Sequence, residues 1–322
     1  MAKTEVAAGV DIGGTNTVLG LVDREGRVHL DLAIPTHPQE GPAAFVTRLN
    51  SAIAEMVERP AAQCALKGVG IGAPNANYYR GTVESPPNLG WKGVVNVVEM
   101  VRRQHNVPIA ITNDANAAAL GEMIFGAAKG MKDFIVITLG TGLGSGIVCN
   151  GSLVYGADGF AGEIGHTIVD PEGRQCGCGR KGCLETYASA TGICRTVFEL
   201  LCNARAESVL RDIRPSELTA KMIADAARNG DAVAREAFES TGRILGLKLA
   251  DSSAYTSPEA ILLFGGLAQA GALLFEPTRR HMEASLLNIF RGKVKLLPSG
   301  LEEGNIAVLG ASALIWNELL KR

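Results

Sequence analysis

Between residues 6 and 35 the apolar positions gather into three short runs, 6–12, 16–22 and 27–34, broken by Gly13-Gly14 and by Asp23-Arg24-Glu25-Gly26. Short β-prone runs separated by turn residues predict an antiparallel meander. Over 42–59 the period changes, with Phe45, Leu49, Ile53, Met56 and Val57 three and four residues apart, which predicts a helix. A strand at 68–72, a loop rich in Pro, Asn and Gly at 74–93, a helix near 94–105, a strand at 109–112 and an Ala-rich helix at 115–125 follow. A meander leading into alternating helix and strand predicts an α/β domain with a mixed sheet.

Residues 134–149 repeat the opening in outline: an apolar strand, a turn at Gly140-Thr141-Gly142, and a second apolar run that ends at Asn150-Gly151. The chain therefore reads as two duplicated units with a boundary near 115–130. Helices near 190–203, 216–229 and 231–251, a strand at 260–264 and a helix near 272–289 belong to the second half. A final helix at 306–320 is able to pack on either half.

Composition narrows the classes. With 322 residues the chain is long enough for two domains. Lys plus Arg number 31 against 33 Asp plus Glu, a net charge of −2 that offers no strong field to a nucleic acid or an anionic membrane. The longest apolar stretch, 261–275, carries glycines and Gln269 and is shorter than the roughly 18–20 residues of a bilayer span. No secretory leader is legible at the start, so a cytoplasmic location is expected. The 7 cysteines are odd in number, with three crowded into Cys176, Cys178 and Cys183, a pattern of metal binding in a reducing compartment rather than of disulfides.

Three glycine turns follow apolar strands. In Asp11-Ile12-Gly13-Gly14-Thr15-Asn16 the missing Cβ atoms let amides approach a phosphate, and Asp11 could hold Mg²⁺. A plain Gly-Gly hairpin is the rival reading. In Leu139-Gly140-Thr141-Gly142-Leu143-Gly144-Ser145-Gly146, alternating glycines weaken a strand, and close approach of a phosphate is the natural compensation. Gly265-Gly266 could floor an adenosine pocket or be an ordinary strand-to-helix turn. No GxxxxGK[ST] loop is present, and the GxGxxG of Gly177, Gly179 and Gly182 lies among cysteines, where it is coincidental.

Cys176, Cys178, Cys183 and His166 supply three thiolates and an imidazole, a closed tetrahedral set that suits a structural Zn²⁺. Asp114, in Thr112-Asn113-Asp114, falls where a strand gives way to a helix, the end of an α/β sheet at which ligands bind. It is a candidate general base, with helix N-capping as the competing role. Glu163 and Glu185 bracket the cysteine loop and could face a polyhydroxylated ligand or plain solvent.

The ordered set DIGGTN, GIGAP (70–74), NLGW (88–91), TNDANAA (112–118), LGTGLGSG (139–146), GEIGH (162–166) and CGCGRKGCLE (176–185) resembles the ROK family of sugar kinases, its glucokinases most closely, over nearly the whole chain. The resemblance implies an α/β fold of two actin-like, ribonuclease-H-like domains, with sugar and ATP meeting in the cleft between them. Domains of 1–118, joined by the helix 306–322, and 119–305, carrying the zinc loop, are expected. It implies ATP-dependent phosphorylation of the glucose 6-hydroxyl, with MgATP as donor. Asp114 is then the catalytic base, and Asn88, Asn113, Asp114, Glu163, His166 and Glu185 are partners of sugar hydroxyls. Gly13, Gly14 and Thr15 match the first phosphate segment, Gly140, Thr141 and Gly142 the second, and Gly265 and Gly266 the adenosine side. His166, Cys176, Cys178 and Cys183 match the zinc ligands. A homodimer or homotetramer is expected.

One departure stands out. The family often has Gly after the Pro of its GAP segment, whereas this chain continues Asn75-Ala76-Asn77-Tyr78-Tyr79. Among alternatives, ROK repressors carry a DNA-binding segment ahead of DIGGT, for which the ten residues before Asp11 leave no room. A sugar sensor without kinase activity is expected to lose the Asp114 equivalent or the phosphate glycines. ROK fructokinases tend to have Cys-Pro-x-His where Cys176-Gly177-Cys178 stands. Kinases of N-acetylmannosamine and N-acetylglucosamine keep a similar cysteine motif and are the main enzymatic alternative.

Overall fold

The computed structural model describes residues 3–59, 64–86, 88–203, 207–301 and 306–321, so Arg322 of the expected last helix lies outside the described residues. The chain forms two compact units, one of Met1–Gly130, Leu153–Ala161 and Gly300–Arg322, the other of Met131–Ser152 and Gly162–Ser299. A division at 118/119 would cut a helix that runs from Asp114 to Ile124.

In the first unit, β1 (Thr4–Ile12), β2 (Asn16–Val22) and β3 (Val28–Pro35) form the expected meander. Helix α1 (Gly41–Glu58) buries Phe45, Leu49, Ile53 and Met56 in the core, which also holds Val10, Ile12, Leu19 and Leu21. Each such side chain taken from water contributes about 1.5–3 kcal/mol before the cost of chain entropy. Strand β4 (Cys64–Gly72) is longer than its apolar core suggested and pairs parallel with β1. The loop expected at 74–93 contains β5 (Ala76–Asn77) and β6 (Thr82–Glu84), which with β7 (Val94–Val95) make a small antiparallel sheet. Two- and three-residue strands leave no periodicity to read. Helix α2 (Val97–Arg102) is capped by Asn96 and is shorter than expected because β7 takes its first residues. Strand β8 (Ile109–Thr112) pairs parallel with β4, giving the order β3-β2-β1-β4-β8, and α3 (Asp114–Ile124) follows.

The C-terminal helix, Ile306–Leu320, packs on this first sheet. It does so through glycine. A Cβ on Gly9 or Gly70 would collide with the backbone of Val308 or Ala311, so strand and helix approach closer than side chains permit. Buried Glu122, near the end of α3, accepts from the amides of Ala127 (2.8 Å) and Gly300 (3.2 Å) and so secures the chain leading toward that helix.

The second unit repeats the plan. Strands β9 (Phe134–Leu139) and β10 (Leu143–Cys149) are antiparallel, β11 (Ser152–Leu153) is a short edge, and helices α4 (Ala190–Asn203), α5 (Ala220–Arg228) and α6 (Ala232–Thr256) follow the cysteine loop. Strand β12 (Ala260–Phe264) lies parallel to β9, α7 (Ala272–Ser285) packs on α6, and β13 (Lys295–Pro298) completes the order β11-β10-β9-β12-β13. β13 was not foreseen: it has four residues and a proline, which only an edge strand tolerates. Among the described residues no helix is long and apolar enough to cross a membrane.

Candidate functional site

In the first unit, β1, β4 and β8 run parallel, and their C-terminal ends carry Asp11, Gly72 and Asn113-Asp114 side by side. The bland role for Asp114 is filled by its neighbour. Asn113 is the N-cap of α3, its Oδ1 accepting from the Asn116 amide at 2.7 Å, while Asp114 is the first helical residue and is exposed. Asp114 Oδ1 accepts from the Ala115 amide at 2.8 Å. Burial, with the charge of Asp114 added, pushes the Asp11 carboxyl up to about 6.

The turn after Asp11 is held from a distance. Thr36 Oγ1 donates to the Gly13 carbonyl at 2.7 Å and lies 3.0 Å from Thr17 Oγ1. A Cβ on Gly14 would stand 2.9 Å from the Asn88 carbonyl, so Asn88 is seated directly against the glycine turn. Gly13, Gly14, Asn88, Asn113 and Asp114 thus belong to one end of one unit, while Thr15 is exposed beside them. Thr36 went unnoticed in the sequence because nothing local marks it.

Asn75 has φ 52°, the left-handed conformation that Asn adopts more readily than most residues other than Gly. Buried Asn77 accepts from the amides of Tyr79 (3.1 Å) and Arg80 (3.2 Å) and donates to the Asp158 carbonyl at 2.7 Å. Tyr78 stacks on Tyr155 with ring centroids 4.0 Å apart. The 75–79 loop is thereby fastened to the segment 155–158.

In the second unit, two of the glycine turns are neighbours. The Leu267 amide donates to the Leu139 carbonyl at 3.2 Å, and Gly265, at φ 101°, has no room for a Cβ against Leu139. This sets Gly265-Gly266 beside Gly140-Thr141-Gly142 at the ends of β12 and β9. Helix α4 begins on the same turn: the Ala190 amide donates to the Gly140 carbonyl at 2.9 Å and Thr191 Oγ1 to the Thr141 carbonyl at 2.7 Å. Ser189 Oγ donates to the Glu185 carbonyl at 2.6 Å. A Cβ on Gly142 would stand 2.7 Å from Glu185 Oε2, so a sugar-site candidate touches the second glycine turn.

His166, Cys176, Cys178 and Cys183 converge, their ligand atoms all within 4.8 Å of one another. Cys178 and Cys183 sulfurs are 3.6 Å apart, and Cys176 Sγ is 3.8 Å from His166 Nδ1. A tetrahedral zinc with bonds of about 2.3 Å to sulfur has ligand-to-ligand edges of about 3.8 Å, so the donors fit that ion. Burial raises the Cys176 thiol, whereas the Arg180 amide holds the exposed Cys178 down at about 6. His166 turns Nδ1 toward Cys176 and leaves Nε2 4.0 Å from exposed Glu163. Glu185 Oε1 lies 2.9 Å from Cys176 Sγ and 3.5 Å from His166 Nδ1. Arg174 rivets the loop to α4: its guanidinium donates to Glu199, to Thr196 and to the carbonyls of Thr186 and Gly192.

Two sheets of matching order, each ending in glycine turns beside carboxylates, define a duplicated α/β protein, and residues 7–318 match the ROK family, to which the chain belongs. A glucokinase of Halalkalibacterium halodurans is 38% identical over 283 residues, 87% of this chain and 86% of that protein. The crystal structure of a ROK family glucokinase from Streptomyces griseus, in complex with glucose and AMPPNP, is 36% identical with a TM-score of 0.79, covering 96% of this chain and 98% of that one. A ROK family transcriptional regulator, a homolog of the E. coli MLC protein, is 28% identical with a TM-score of 0.87, over 98% of this chain and 78% of that one. The units have the actin-like fold of these relatives.

Proposed function

We propose that the protein is an ATP-dependent glucokinase that transfers the γ-phosphoryl group of ATP to the 6-hydroxyl of glucose. The observation that carries this reading is the exposed carboxylate of Asp114, which is not the N-cap because Asn113 fills that position, beside Asp11 and the Gly13-Gly14 turn. Likeness to glucokinases over most of the chain supports the choice of reaction.

Asp114 accepts the proton of the 6-hydroxyl as that oxygen bonds to the γ-phosphorus, and the bond from phosphorus to the bridging oxygen of ADP breaks. Amides of Gly13, Gly14 and Thr15 and of Gly140, Thr141 and Gly142 receive phosphate oxygens, and Gly265-Gly266 borders the adenosine. Asp11 would hold Mg²⁺, which would supply neutralisation of phosphate charge. Asn88, Asn113, Glu163, Glu185 and His166 Nε2 pair with sugar hydroxyls. His166 Nδ1 and the three cysteines would hold a structural Zn²⁺, and the loop bearing Glu163 and Glu185 would be fixed through these ligands. A cytoplasmic location would supply both ATP and the reducing conditions that keep the cysteines out of disulfides. The working form is a homodimer or homotetramer, which light scattering would read.

Steady-state assays of the purified protein with MgATP across glucose, mannose, fructose, N-acetylglucosamine and N-acetylmannosamine test the reading. Glucose is expected to exceed N-acetylmannosamine at least about tenfold in kcat/KM, because an acetamido group needs space and leaves hydroxyl partners unpaired. A reversed order would make the protein a hexosamine kinase. A regulator-like neighbour raises the reading of a sugar sensor without catalysis. Asp114 and both phosphate turns argue against it, and sugar binding with no turnover on any of the five would establish it.

A further inference from the structure

The second glycine motif has a half that phosphate binding does not use. Beyond Gly142 it becomes β10, and Ser145, buried on that strand, donates through Oγ to the Gly162 carbonyl and accepts from the Ile164 amide at 3.1 Å. These two backbone groups flank Glu163. On either side the contact is backbone on backbone: Gly162 takes φ 96° with a Cβ position 3.1 Å from the Ser145 carbonyl, and a Cβ on Gly165 would strike the Leu143 carbonyl. The Glu163 carbonyl in turn accepts from the His166 amide at 3.1 Å. One hydroxyl therefore sets the backbone from which both Glu163 and His166 project, from the side opposite to the cysteine ligands in the chain.

We infer that Ser145 is a positioning residue for the sugar: its hydroxyl fixes the peptide groups on both sides of Glu163, so that Glu163 and His166 are oriented before the sugar arrives. The inference rests on the proposed assignment of these two residues to sugar hydroxyls. An acceptor group oriented in advance strengthens binding in ground and transition states alike, which appears in KM and leaves kcat alone. Without the hydroxyl the Gly162 carbonyl and the Ile164 amide keep only the 2.9 Å bond they make to each other, and the turn gains freedom.

The experiment compares Ser145→Ala, Glu163→Gln and the double variant for glucose KM, ATP KM and kcat, with hydrogen exchange at the Ile164 amide and zinc content measured on the same samples. Ser145→Ala is expected to raise glucose KM about tenfold, with ATP KM and kcat within about twofold. Exchange at Ile164 should quicken while zinc content holds. In the Glu163→Gln background the same change should add little, since two residues acting through one group are not additive. Should Ser145→Ala fold poorly, Ser145→Cys keeps the volume while weakening the donor, and its glucose KM should rise as well. A glucose KM within twofold of wild type, a parallel rise in ATP KM, or a full Ser145 effect in the double variant would overturn the inference. If Glu163→Gln itself leaves glucose KM unchanged, the sugar assignment fails, and with it this inference; faster Ile164 exchange would then show a turn held for another purpose.

Discussion

Burial of Asp11, joined by the charge of Asp114, lifts the Asp11 carboxyl to about 6. Two acids thus face one end of the first sheet, and the more buried one resists ionising. At neutral pH Asp11 is still mostly charged, and a cation beside it would relieve the repulsion.

The pH dependence follows. Because the folded value lies above the ordinary 3.8, the folded state holds this proton more tightly than the unfolded chain. The associated stability is full below about pH 4 and is lost as pH rises through about 6. Asp11→Asn should therefore raise stability at pH 8, by up to about 3 kcal/mol, and give no gain near pH 4. The same variant should lose apparent affinity for Mg²⁺ in the kinase assay. Thermal unfolding at both pH values, with a Mg²⁺ titration of activity, checks both halves. A destabilised Asp11→Asn at pH 8 would count against a carboxyl raised by burial.

Asp114→Asn should cost about 10² to 10⁴ in kcat with the melting temperature nearly unchanged. Asn113→Ala removes the cap and should cost about 1 kcal/mol of stability. The pair separates chemistry from capping. Near-normal kcat in Asp114→Asn on every sugar would falsify the assignment of the base.

Metal analysis is expected to find about one zinc per chain, lost with a strong chelator. Cys178→Ala should lower both the melting temperature and glucose affinity, since the loop carries Glu185 as well as the ligands. ATP binding to the Gly140 turn should suffer less. Carefully prepared, active protein free of zinc would end this reading.

Gly70→Ala places a methyl group against the backbone of Ala311. Overpacking of this kind costs about 1–3 kcal/mol, to be read as a fall in melting temperature. Gly130, at φ 88° with open space around it, should lose stability through backbone strain alone, and less of it. Equal losses at the two positions would argue that the helix does not need the glycine contact.

Much of this was legible along the chain. The meander, the helices with three- and four-residue spacing and the duplicated plan follow from periodicity, because long half-buried elements repeat their pattern several times. The small sheet around Thr82 and the edge strand at Lys295 are too short to repeat anything. Of the candidate site, Gly14, Asp114 and the cysteines announce themselves by position after strands or by clustering. Thr36 does not: its bond to Gly13 joins residues that only the folded sheet makes adjacent. Asn113 as cap was equally hidden, since a sequence of Asn then Asp allows either residue to begin the helix.

The C-terminal helix has a consequence for the order of synthesis. The first sheet is made early, yet the helix that covers Gly9 and Gly70 is translated only after every strand of the second unit. Until then that face of the sheet is met by α3 at Gly72 and lacks the helix that packs along it. The second sheet has all its strands and the α6–α7 pair by Pro298, so it can fold while the first still waits. The first unit is therefore complete only once the last helix of the chain has been made.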